Sequence, residues 1–173
     1  IPVNLKRVSI DLERDDIAAY PFLFFTGLDD FVLTAKQIEV LQKHVNRGGT
    51  LVVNNALGLA TFHQAAVREL ARAFPHNRLA LLPQKHEIFR SLHTISRVKY
   101  TPTLMKDKGK ELNGLPVLFG AKVGGRTAVL YSPFAIEGGW NEVRYPLCSG
   151  YPVSYPLLTL HTTRVVRLRV ASR

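Results

Sequence analysis

Residues 20–27 read Tyr20-Pro21-Phe22-Leu23-Phe24-Phe25-Thr26-Gly27. Side chains alternate across a strand, so this run is apolar on both faces. That is the pattern of a central parallel strand covered on two sides. Downstream, Thr34 offers an N-cap with Gln37 three residues on, a capping box. Ile38, Leu41 and Val45 then recur at helical spacing, and Gly48-Gly49 supplies the residues with which a helix ends. Thr50-Leu51-Val52-Val53 is a second buried strand. A further helix is expected from Thr61 to Phe74, with Phe62, Ala66, Leu70 and Phe74 on its apolar side and Pro75 as its stop.

Upstream of this core, Val8 and Ile10 alternate with polar neighbours and suggest a short strand over residues 7–12. Downstream, residues 117–122 and 126–131 flank Gly124-Gly125, a two-residue hairpin turn. The stretch 145–155 carries Pro146, Gly150 and Pro152 and reads as loop. Residues 163–171 alternate Val166, Leu168 and Val170 against Arg167 and Arg169, as a strand with one wet face does. Strand–helix–strand–helix in this order predicts an α/β fold, a three-layer sandwich around a mostly parallel central sheet, in one domain over residues 1–173.

The chain has 173 residues, 46% hydrophobic and 21% charged, which is globular composition. No apolar run approaches the ~20 residues of a bilayer span, so no transmembrane segment is expected. The single cysteine, Cys148, excludes an internal disulfide. The formal net charge is +10, densest at Lys106, Lys108 and Lys110 and in the tail at Arg164, Arg167, Arg169 and Arg173. Aromatic residues do not interleave with these clusters as a stacking platform requires, which argues against nucleic acid. A basic solvated surface explains the charge; a small anionic ligand or a protein partner is the functional counterpart.

Ligands of open parallel sheets sit beyond the carboxyl ends of the strands. Two such ends are readable, Thr26-Gly27-Leu28-Asp29-Asp30 and Asn54-Asn55-Ala56-Leu57-Gly58. The ligand-binding candidates are Thr26, Gly27, Asn54, Asn55, Gly58 and Ser132, with Trp140 as a possible pocket wall. Amides and hydroxyls orient a ligand without titrating or attacking it; the same residues also tie down loops. Asp29 and Asp30 are adjacent and point opposite ways, which suits the positive end of a following helix better than chelation. The six histidines fall into no HxH or HExxH pattern, so neither metal nor cofactor is expected. Cys148 lies in a Pro/Gly loop with no identifiable base, and no residue is assigned as catalytic.

An ordered set of fragments resembles an uncharacterised bacterial family, a domain of unknown function placed in the class I glutamine amidotransferase-like superfamily. The fragments are Tyr20-Pro21-Phe22-Leu23 with Thr26-Gly27, Asn46-Arg47-Gly48-Gly49, Arg68-Glu69-Leu70 with Phe74-Pro75, His86, Ile88-Phe89 and Ser91. They continue with Gly125-Arg126-Thr127-Ala128-Val129, Tyr131-Ser132-Pro133 and Gly139-Trp140. The resemblance implies an amidotransferase-like or flavodoxin-like fold. Such families usually carry a His where Leu28 stands, and two acidic residues followed by cysteines where Asn54, Asn55, Ala56 and Leu57 stand. They also tend to begin with another strand and helix, so the chain is expected to be the C-terminal portion of a longer, exported or membrane-linked protein. The expectation is a non-catalytic binding or interaction domain. The alternatives are an amidotransferase-like or hydrolase-type enzyme with an unrecognised nucleophile, and an anion-binding module using the basic surface.

Overall fold

The structure, a computed structural model, describes residues 8–91, 94–136, 150 and 166–168. The apolar run forms β2 (Phe22–Gly27) and the second one β3 (Thr50–Asn55). The two pair in parallel, from Phe22 beside Thr50 to Gly27 beside Asn55. Between them runs α1 (Ala35–Asn46). Its capping box is in place: Gln37 N–H donates to Thr34 Oγ1 at 3.1 Å, and Thr34 N–H donates to the Gln37 side chain at 3.0 Å. The chain leaves α1 through Gly48, whose φ of 103° is left-handed and closed to most side chains.

After β3 come α2 (Ala60–Ala73), β4 (Ala80–Leu81), α3 (Pro102–Leu112), β5 (Phe119–Val123) and β6 (Arg126–Ser132). With β1 (Val8–Ile10) and β7 (Val166–Leu168), the described strands form one seven-stranded sheet in the order β1-β7-β2-β3-β6-β5-β4. Pairing is parallel from β1 across to β6 and antiparallel from β6 through β5 to β4. The sheet is therefore mixed, and the expected parallel character holds on one side only. The reason is the hairpin itself: Gly124 and Gly125, at φ of 59° and 80°, turn β5 straight back along β6. Of the tail strand expected over residues 163–171, Val166–Leu168 are described, inserted between β1 and β2.

Helices and loops cover both faces. Leu23, Phe25, Leu51, Val53, Val129 and Tyr131 pack in one cluster with residues of α1 and α2. Phe24, Val52 and Leu130 pack in the other with Phe89, Val98, Tyr100 and Leu104. That second cover includes α3, a helix the sequence reading passed over as a charge cluster. It carries one fully buried residue, Leu104, and shows Lys106, Lys108 and Lys110 to solvent. Pro102 at its start and left-handed Asn113 at its end mark its bounds.

On the first face a buried carboxylate ties α2 to the loop before α1. Glu69 is 1% exposed; it accepts from Leu33 N–H at 3.0 Å and from Arg68 Nε at 2.7 Å, and Arg72 pairs with it as well. Arg68 also reaches Asp30 at 3.0 Å on the surface. Glu69→Ala leaves the buried Leu33 N–H without an acceptor and takes the buried carboxylate from Arg72 and Arg68, the latter keeping Asp30 and the Phe31 carbonyl. It is expected to lower stability by about 2–3 kcal/mol in urea denaturation at unchanged m-value. Asp30→Ala removes only an exposed pair and is expected to lower it by less than about 1 kcal/mol. Equal losses would show that Glu69 is not the tie.

Candidate functional site

Parallel pairing brings the carboxyl ends of β2, β3 and β6 level. Thr26 stands beside Asn54, and Asn54 beside Ser132, so three of the expected residues form one row. Asn54 and Ser132 are 0% exposed and Thr26 is 7% exposed. The Asn54 amide donates to Thr26 Oγ1 at 3.1 Å and its oxygen accepts from Ile136 N–H at 3.1 Å. Ser132 donates to the Phe134 carbonyl at 2.6 Å. Each named group of the row has its partner inside the protein, as buried polar atoms require.

On the opposite face lie Gly27 and Asn55. The Asn55 oxygen accepts from Leu59 N–H at 2.9 Å and its nitrogen donates to Leu59 O at 2.8 Å, which closes the loop into α2. Gly58 turns that loop with a φ of 71°. Gly27 sits against the Phe62 ring, where a Cβ would fall 2.5 Å from a ring carbon. A side chain there would force the Phe62 ring to move. Trp140 and Cys148 lie outside the described residues. Asp30 is in the surface pair with Arg68. His86 accepts from Ile88 N–H at 3.2 Å and meets Thr127 Oγ1 at 2.9 Å, so its two ring nitrogens hold local structure. Among the described residues, no three His, Cys, Asp or Glu side chains are grouped so as to hold a metal ion.

One pair at this end was not singled out in the sequence. Tyr131, fully buried on the α2 face, has its phenol oxygen 2.8 Å from Nδ1 of His63, an exposed residue in the first turn of α2. Burial holds Tyr131 well above the ordinary tyrosine range, against the opposing effect of Asn55, so it stays a phenol. Burial also lowers the His63 pKa, and the positive charge of Lys108 adds to this.

A buried phenol needs an acceptor for its proton, and Nδ1 of His63 lies within reach at 2.8 Å. In the tautomer that accepts this proton, the neutral imidazole carries its own on Nε2. No local motif marks this pair, because the non-local pairing of β3 with β6 is what brings α2 and Tyr131 together.

Over residues 1–156 the chain matches the model of the family described as Domain of unknown function (DUF4159), and it belongs to that family. No curated protein matches its sequence. Among the described residues, no helix is long and apolar enough to cross a membrane.

The proton assignment has a direct check. Nitrogen NMR of His63 is expected to show Nε2 protonated and Nδ1 accepting, with titration below the ordinary histidine value of ~6.5. Lys108→Ala removes a repelling charge, so it is expected to move the titration upward. A dominant Nδ1–H form in the wild-type protein would contradict the assignment.

Proposed function

We propose that the domain is a non-catalytic binding or interaction module on a three-layer, amidotransferase-like α/β sandwich. Apolar covers on both sheet faces and the ordered sequence resemblance support the fold. The observation that carries the functional reading is the strand-end row itself. Where acids and thiols are usual in the resembling families, Asn54 and Asn55 stand, buried and hydrogen-bonded internally to Thr26, Ile136 and Leu59. Neither can act as a general base near neutral pH. What this end offers a ligand is the His63 N–H and the exposed side chains of Leu28 and Leu59. Such a surface orients an acceptor, and the Lys108 charge that acts on His63 favours an anionic one.

The test is a thermal-shift screen of small carboxylates and phosphates on the wild-type protein and His63→Ala. A ligand that stabilises the wild type is expected to bind the variant about tenfold more weakly, the scale of one charged hydrogen bond. His63→Ala also takes the partner from the buried Tyr131 phenol, so the melting temperature of the ligand-free variant is the baseline for its shifts. Binding that is equal in both proteins would place the ligand elsewhere.

One observation favours a second reading, an enzyme. His63 and Tyr131 are a titratable pair within hydrogen-bond distance at the strand ends, which an acid–base site requires. An amidase and hydrolase panel separates the two: turnover that falls at least a hundredfold in both His63→Ala and Tyr131→Phe would establish the enzyme and overturn the binding module.

A further inference from the structure

At the other end of the sheet, where β3 and β6 begin, a second histidine is packed without a full set of partners. His44, in the last turn of α1, is 7% exposed. Its Nε2 is buried and has no hydrogen-bond partner, the one such side-chain atom among the described residues. The ring abuts Gly49, where a Cβ would fall 2.1 Å from Nε2 and 2.2 Å from Cε1. Glycine is what lets the imidazole in.

The acceptors nearby are already engaged. Arg126 of β6 donates to Val45 O at 2.9 Å, to Gly49 O, and to Thr50 Oγ1 at 3.2 Å. A proton added to Nε2 would enter a buried site where Arg126 already holds the Val45 and Gly49 carbonyls, and it would face that guanidinium. Burial lowers the His44 pKa, the Thr50 hydrogen bond opposes that, and the Arg126 charge lowers it further. Among the described residues, Arg126 is the charged group that acts on it from a neighbouring element; on α1 itself, Lys43 pairs with Glu39 at 2.5 Å in solvent.

We propose that His44 is an acid-sensitive latch: neutral, it closes the end of α1 onto the amino ends of β3 and β6; protonated, it has no place in the closed fold, and the Gly48-Gly49 corner opens. The sign follows from linkage. In the open or unfolded chain the ring takes up a proton near the ordinary value of ~6.5, whereas the closed form resists protonation until lower pH. The latch is at full strength above that ordinary value and weakens as pH falls towards the lowered one. Within that window the closing equilibrium drops up to about tenfold per pH unit. Arg126 makes the corner rigid, and His44 makes it conditional.

The experiment uses the full chain in a His63→Gln background, which removes the other histidine with a lowered pKa. Urea denaturation from pH 8 to pH 5 is compared with and without His44→Leu, and the ring nitrogens of His44 are followed by NMR. The expected result is a folding equilibrium that falls more steeply below about pH 6.5 in the His44 protein, by up to tenfold per pH unit. The leucine variant should lack that excess slope, and the native His44 ring should stay neutral until the protein opens. Parallel pH profiles would overturn the proposal. So would a folded state in which His44 titrates in the ordinary range, a result that decides the matter even if His44→Leu fails to fold.

Discussion

The parallel pairing of β2 with β3 is the constraint from which the other features follow. Both strands are apolar on two faces, so both must be covered twice, and every backbone group in them must find a partner. The sheet meets the second demand by placing β7 on the outer side of β2 and β6 on the far side of β3. It meets the first with α1 and α2 on one face and α3 with Leu82, Phe89, Val98 and Tyr100 on the other. Because the register runs Phe22 to Thr50 through Gly27 to Asn55, the two strands finish level. Levelness is what aligns Thr26, Asn54 and Ser132.

A polar row at the top of apolar strands has a physical cost, because each atom loses water on burial. Amides and hydroxyls lose less than carboxylates, and they complete their hydrogen bonds over short spans. Asn54 shows the benefit: one side chain joins β2, β3 and the segment at Ile136 through 3.1 Å bonds on both of its polar atoms. Glu69, the one buried carboxylate among the described residues, meets the harder requirement with two arginines and a backbone N–H. The neutral row braces the sheet, and the charged knot fastens helix to loop.

The central strands, both helices of the first face and the Gly124-Gly125 hairpin were legible because each is written locally. Apolar runs, a capping box and paired glycines are short-range signals with direct structural meaning. The antiparallel edge beyond the hairpin was less legible, since β4 spans only Ala80–Leu81 and both residues are exposed. Helix α3 escaped because it buries little beyond Leu104, so no apolar stripe announces it. At the site, the row could be anticipated from strand ends alone. The pairing of His63 with Tyr131 could not, because the residues lie 68 positions apart and meet only through the β3–β6 register.

The two histidines at opposite ends of the sheet have pKa values shifted in the same direction for different structural reasons. His63 meets the Tyr131 phenol at Nδ1 and is an exposed residue. His44 is packed against Gly49 with a buried Nε2 that has no hydrogen-bond partner. A lowered pKa alone would not tell these apart, since burial is the leading cause in both. The location of the remaining nitrogen does. Where it lies on an exposed side chain, the shift favours an uncharged ring at the surface. Where it is buried beside an arginine, an added proton has a charge to face, which is the basis of the proposed latch.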